Sequence, residues 1–317
     1  QARRELAAGP GNRLLLYKDV PTCFDAWDID VTYKDNPVEI GGRATIAVVA
    51  QGPLAGVVRV QRAFSASTLQ QDIILRAGSR VVEFKTAIDW QERHKLLKVS
   101  FPVNVHGNEA VHEIQFGHLR RPTHASRRFD ADRFEVSAHK WSALTEEDYG
   151  VAVLNDCKYG VSVTGNAINL TLLKAPLSPD MTADLGRHEF SYAVYAWQGS
   201  LFEGNVVRAG YELNMPAMVI AGAAEERSLF ALDAPNVVIE AVKPAEDGSG
   251  DVIVRLYEAM RSDTSCRLQT TLPVVRAHTA TMLEEPLKPV AAARGQLRLH
   301  FRPFEIKTLR LRCDARR

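Results

Sequence analysis

Residues 81–90 read Val-Val-Glu-Phe-Lys-Thr-Ala-Ile-Asp-Trp, and from Val82 to Trp90 apolar or β-favouring side chains alternate with charged or small ones. A period of two sends successive side chains to opposite faces of a strand, one towards a core and one towards water. The same period recurs outward from this stretch. Val58 and Val60 alternate with Arg59 and Gln61, Leu297, Leu299 and Phe301 with Arg298 and His300, and Leu309, Leu311 and Cys313 with Arg310 and Arg312. Val151–Leu154 is a short continuous apolar run. Helical periodicity is scarce. Strands of this kind, separated by Gly, Pro, Asn and Asp clusters, predict an all-β fold of stacked antiparallel sheets.

Three stretches break the pattern. Arg120–Phe129 holds Pro122 and several arginines, and Ala175–Arg187 holds Pro176, Pro179 and Gly186; both are expected to be functional or mobile loops. Ala221–Arg227 is small and charged and is expected to be a linker. Beyond it, Asn236–Val242, Asp251–Glu258, Cys266–Leu272 and Leu297–Phe301 are expected strands, with a hairpin turn at Glu246–Gly250.

Bulk properties exclude several functions. The 317 residues include 39 basic and 38 acidic side chains, a net charge of +1, so electrostatic capture of nucleic acid or of a membrane surface is not expected. No apolar run is long enough to span a bilayer, and Gln1–Pro10 lacks the pattern of a signal peptide. The first residue is Gln rather than Met, which suits a piece of a longer chain. Cys23, Cys157, Cys266 and Cys313 have no metal-ligand spacing, and free, mostly buried thiols in a reducing compartment are expected.

Four polar clusters could bear chemistry. Asp180, Asp184, Arg187, His188 and Glu189 could hold a polyhydroxylated ligand through charge-assisted hydrogen bonds; the plainer reading pairs Arg187 with Asp184 to pin the loop. Asn155-Asp156-Cys157-Lys158-Tyr159-Gly160 follows an apolar strand, where Asn-Asp ordinarily makes a turn and could alternatively touch a ligand. Cys157 has no histidine nearby in sequence and is not expected to be a nucleophile. Trp27 between Asp25, Asp28 and Asp30 could stack on a sugar, but a buried indole with an acidic partner is the favoured reading. His112, His118 and His124 lack the one-turn spacing of a helical zinc pair. No phosphate loop, serine elbow or hydride-cofactor fingerprint is present. Composition and spacing alone stop at an all-β protein with polar loops and no complete active site.

Taken in order, these segments resemble one family. Lys18–Asp28, Glu113–His118 with Arg121–His124, Phe134-Glu135 and His139–Trp141 begin the resemblance. Tyr149-Gly150, Asn155–Gly160, Leu173–Pro176, Ser178–Asp180 and Thr182–Phe190 continue it, and Val254–Glu258 and Pro303–Leu309 close it. The chain is similar, from about residue 11 onward, to the C-terminal half of the family 38 glycoside hydrolases, the retaining α-mannosidases, and most of all to their cytosolic, neutral class and its bacterial relatives.

The resemblance implies a mutarotase-like β supersandwich over residues 1–222, short of its first strands, and a small β-sandwich over residues 223–317. It implies that the metal ligands, the aspartate nucleophile and the acid/base carboxylate belong to an N-terminal barrel-like domain not contained here. A divalent metal, zinc or cobalt, is then expected in the full-length enzyme and none in this chain. α-Mannoside glycans and the N-terminal catalytic domain are the expected partners, the compartment is the cytoplasm, and self-association stays open. By the same resemblance, loops of the β region reach the sugar: Asp184, Arg187 and His188 first, then Asp156 and Tyr159, then His118 and Arg120. Two other functions compete. A free-standing carbohydrate-binding module is one. A mutarotase-like epimerase is the other, but it needs a base and an acid on one face, and His188 and Glu189 are neighbours on one strand.

Overall fold

The computed structural model describes residues 4–222 and 225–314. The boundary expected between residues 222 and 223 falls on the pair 223–224 and lies outside the described residues. The chain forms two compact units: one comprises residues 1–114 and 119–216, the other residues 115–118 and 217–317.

The first unit contains β1 (Arg13–Lys18), β2 (Pro37–Val38), β3 (Ala44–Gln51), β4 (Ala55–Phe64), β5 (Ser67–Arg76) and β6 (Val81–Trp90). They are followed by β7 (Lys95–Pro102), β8 (Glu109–Ile114), β9 (Gly117–Pro122, whose first two residues fall in the second unit), β10 (Val136–Ser137), β11 (Trp141–Thr145) and β12 (Tyr149–Asn155). β13 (Gly160–Thr164), β14 (Ala167–Lys174) and β15 (Gly186–Gln198) complete the set. Six strands form one sheet in the order β10-β13-β14-β7-β1-β2, and nine form another in the order β3-β4-β5-β6-β15-β12-β11-β8-β9. The paired strands are antiparallel throughout, as the alternating pattern predicts.

Apolar residues of both sheets share one core. Leu97, Val99 and Phe101 of β7 meet Phe84, Ile88 and Trp90 of β6 and Phe190 and Tyr192 of β15. Phe84 stacks on Tyr192 at 5.2 Å, and Phe101 meets Tyr192 edge-on at 6.0 Å. Four polar side chains among them bond one another in a ring. Asn12 Nδ2 donates to Gln71 Oε1, Gln71 Nε2 donates to Thr86 Oγ1 and Tyr192 OH, and Tyr192 OH donates back to Asn12 Oδ1. Such closure removes the cost of burying unpaired polar groups.

The opposite face of the nine-stranded sheet is covered over only part of its width. Helix α2 (Val206–Asn214) lies against β11 and β12. Trp197 lies across Gly150, its cross-strand partner, where an added Cβ would sit 2.1 Å from the indole, so only glycine fits. Over β3 to β6 this face is open and polar. The edge strand β3 is exposed along its whole length.

The loop expectations need correction in part. Arg120–Pro122 belong to β9, and Arg128–Ala131 form a helical turn, α1, closed by Asp130 bonding back to the Arg127 backbone. Two of the four free cysteines, Cys23 and Cys157, are exposed rather than buried, because both sit in loops.

The second unit contains β16 (Phe230–Leu232), β17 (Val237–Pro244), β18 (Val252–Glu258), β19 (Thr264–Thr270), β20 (Val274–Ala280), β21 (Pro286–Val290), β22 (Ala292–Ala293), β23 (Gln296–Phe301) and β24 (Ile306–Cys313). They form a four-stranded sheet, β16-β19-β23-β22, and a five-stranded one, β17-β18-β24-β20-β21. Val254, Leu256, Leu268, Leu297, Phe301, Leu309 and Leu311 fill the core of this sandwich. The expected turn at Glu246–Gly250 joins β17 to β18, fastened by Arg310, which donates to Asp247 and Asp251.

Candidate functional site

β15 begins at Gly186, so the strand period decides where the Thr182–Phe190 cluster points. Phe190 and Tyr192 enter the core, which puts His188 on their side and Arg187, Glu189 and Ser191 on the open polar face. Arg187 does not pair with Asp184. Its Nε and Nη2 donate to Glu189 Oε1 at 3.0 and 2.5 Å, its neighbour on the same face. His188 Nε2 instead lies 2.7 Å from the Asp184 carbonyl, which turns at a left-handed φ of 59°. Arg187 and His188 thus work on opposite faces of one strand.

Asp156 lines the same groove of the open face as Arg187. Asn155 makes the expected turn, its Oδ1 accepting the Lys158 N–H at 2.8 Å. That turn presents Asp156 to the middle of β15, where its Oδ2 accepts the Ser191 N–H at 2.8 Å. Its Oδ1 is buried. A groove of about 350 Å³ is lined by Asp156 and Arg187 together with Gln70, Asp72, Lys85 and Glu189. Arg59 grips Asp72 through two bonds of 2.7 and 2.8 Å along the same face. Although the residue as a whole is exposed, partial desolvation of the Cys157 thiol first, and its hydrogen bond to Asp156 second, push its pKa up to about 11, which keeps it protonated at neutral pH.

The remaining candidates are placed elsewhere. Tyr159 is half exposed, with its ring 5.0 Å from His139. Arg120 is on β9, four strands from β15 and about 19 Å away at ordinary strand spacing, facing Glu109 at 3.5 Å. His118 belongs to the second unit, buried with Nδ1 3.1 Å from the Ala259 carbonyl and its ring against Phe304. His112 is also buried, 2.9 Å from Ser142 Oγ. Among the described residues no three His, Cys, Asp or Glu side chains converge to hold a metal ion. The divalent ion that the resemblance implies does not fit the residues described here.

The loop before β15 is held by Asp25. Its Oδ2 accepts the N–H groups of Leu177 and Ser178 at 2.7 and 3.2 Å and faces His94 Nε2 at 3.1 Å. Asp30 is likewise spent on Thr22, accepting from its N–H and hydroxyl. The buried-indole reading of Trp27 is therefore corrected. The acids around it bind backbone, and Trp27 is 75% exposed beside Phe24 at 72%.

Residues 1–182 match the family model described as the glycosyl hydrolases family 38 C-terminal domain, and residues 236–309 match the family 38 C-terminal beta sandwich domain. Alpha-mannosidase 2C1 of Mus musculus is 42% identical, over 98% of this chain and 31% of that protein. Alpha-mannosidase G of Dictyostelium discoideum is 36% identical, over 95% of this chain and 29% of that protein. The crystal structure of an alpha-mannosidase from Enterococcus faecalis V583 shares the fold, with a TM-score of 0.73 at 15% identity, covering 94% of this chain and 38% of that one. The chain spans under a third of the length of these curated relatives. No helix among the described residues is long and apolar enough to cross a membrane.

Proposed function

The chain belongs to glycosyl hydrolase family 38, as its C-terminal β region, and we propose that it serves an α-mannosidase hydrolysing terminal α-mannosides whose reacting groups lie outside these 317 residues. Long matches to proteins named alpha-mannosidases support this reading. In it the parent enzyme works by retaining double displacement between two carboxyl groups. A zinc or cobalt ion, when bound there, would hold and polarise the mannose hydroxyls. Its compartment is the cytoplasm, in keeping with four free cysteines.

This chain's own contribution is to orient the sugar. The observation that carries it is the convergence of Arg187 and Asp156 on one groove. Glu189 fixes the guanidinium and leaves Nη1 to donate, while the Asp156 carboxylate lines the same groove. Arg187 thus supplies a donor, and the exposed Glu189 beside it an acceptor, for neighbouring hydroxyls.

Replacing Arg187 by Ala in the full-length enzyme should lower kcat/KM on an aryl α-mannoside about tenfold, the loss of one charge-assisted bond. An unchanged value removes Arg187 from the site. The 317-residue chain alone should not turn over that substrate, with or without added cobalt or zinc. Turnover by it would place the reacting groups in this chain.

A further inference from the structure

The open face continues past Arg187 across β6, β5, β4 and β3, and strand register arranges it in rows. Arg187 is opposite Asp89, Asp89 opposite Thr68, and Thr68 opposite Ala63. The next row runs Glu189, Ala87, Gln70, Gln61 and Thr45. Small side chains at Ala63 and Ala87 leave a hollow between larger neighbours. It is a cavity of about 510 Å³ whose walls include Arg43, Gln61, Thr68, Gln70, Asp89 and Arg187. Gln70, Ala87 and Arg187 line both this hollow and the Asp156 groove, so the two are continuous.

The chemistry of the walls is specific. Gln61 Nε2 donates to Gln70 Oε1 at 3.1 Å, which orients both amides and leaves Gln61 Oε1 to accept and Gln70 Nε2 to donate. Gln91 Nε2 donates to Asp89 Oδ1 at 2.7 Å, leaving Oδ2 as an acceptor. Three arginines, Arg43, Arg62 and Arg187, share the lining with the Asp89 carboxylate and the two oriented amides, over small side chains at Ala63 and Ala87. A surface built for an anion would carry one sign of charge, and one built for an apolar peptide would carry larger apolar side chains. Hydroxyl groups that both donate and accept suit this set. From β15 to β4 is three strand spacings, about 14 Å, which is more than one pyranose ring occupies.

We propose that this hollow is a second saccharide subsite, which takes the next sugar of an oligomannoside whose terminal residue is held at Arg187 and Asp156. It rests on the mannosidase reading above and adds the requirement that chain length is recognised by β4 to β6.

The test compares two substrates in the full-length enzyme, an aryl α-mannoside and an α-linked mannotriose, for the surface variants Gln61→Ala and Asp89→Asn. The ratio of kcat/KM for mannotriose to that for the aryl mannoside should fall about tenfold in each. A ratio within about twofold of the parent's in both variants overturns the subsite. A parallel loss on both substrates with a lowered melting temperature also overturns it, because the face would then pack against other polypeptide. Arg187→Ala, run alongside, should lower both substrates. If it lowers neither, the Arg187 reading fails on its own, while the ratio still judges the subsite.

Discussion

Lys98 grips Glu135 through both carboxylate oxygens, its Nζ lying 2.5 Å from Oε1 and 2.6 Å from Oε2, and gives its third proton to Thr171 Oγ1 at 2.7 Å. The lysine side chain is 2% exposed and the glutamate 12%. Burial pushes the ammonium's pKa down, and Glu135 opposes that shift. Removing the partner leaves a buried charge uncompensated. Glu135→Ala should therefore cost about 3–5 kcal/mol of unfolding free energy in urea. A loss under about 1 kcal/mol would mean that water or another group takes over the ammonium.

His112 gives the fold an acid limit. Burial first, and the nearby Arg121 second, hold its pKa down at about 3. The unfolded chain protonates this ring near pH 6.5, as a free imidazole does. Its contribution to stability is thus whole above about 6.5 and is lost as pH falls from there towards about 3, by up to about 1.4 kcal/mol per unit. The His112 ring signals should stay at their neutral chemical shifts down to about pH 5 while the protein is folded. A midpoint near 6.5 in the folded protein would contradict the assignment.

Asp25 fixes the loop that leads into Arg187. Replacing it with Ala removes the acceptor for the Leu177 and Ser178 amides. Hydrogen exchange at Leu177 should quicken by at least about tenfold, while amides in β6 and β15 stay protected. Unaltered exchange would show that the loop is held by something other than this carboxylate.

β3 offers an unpaired backbone edge with Ile46 at 67% and Val48 at 66% exposure. Long apolar edges recruit further strands. Self-association of the isolated chain should therefore rise with concentration in sedimentation runs. Val48→Lys should shift it towards monomer. Equal association in both proteins would locate the contact elsewhere.

Much of the fold was legible because burial on one face imposes a strict period. Val81–Trp90 is β6 residue for residue, and the segments read at Asp251–Glu258 and Leu297–Phe301 differ from β18 and β23 by one terminal residue. α2 was missed because nine residues with glycine at position 210 give a short, weak helical period, and packing on β11 and β12 stabilises it. Trp27 was misread because its flanking acids suggested an indole partner, whereas loop backbone claims them. In the site, alternation separates Arg187 from His188, but nothing local in sequence puts Asp156 on the same groove as Arg187. That placement depends on β12 pairing with β15, a long-range register. Gln61, Gln70 and Asp89 carried no signal because each is an ordinary polar position on a strand, and only the register assembles them.

The tetrapeptide Gln115–His118 belongs to the second unit although residues 119–216 of the first intervene. Phe116 meets Tyr257 at 5.4 Å, and Phe304 sits within 2.9 Å of where a side chain on Gly117 would begin. The second sandwich is therefore not one contiguous stretch of gene. Residues 217–317 transplanted onto another protein would arrive without the tetrapeptide, leaving Tyr257 and Phe304 short of a neighbour and the Ala259 carbonyl short of its donor. A transplanted second unit would be whole only if the tetrapeptide travelled with it.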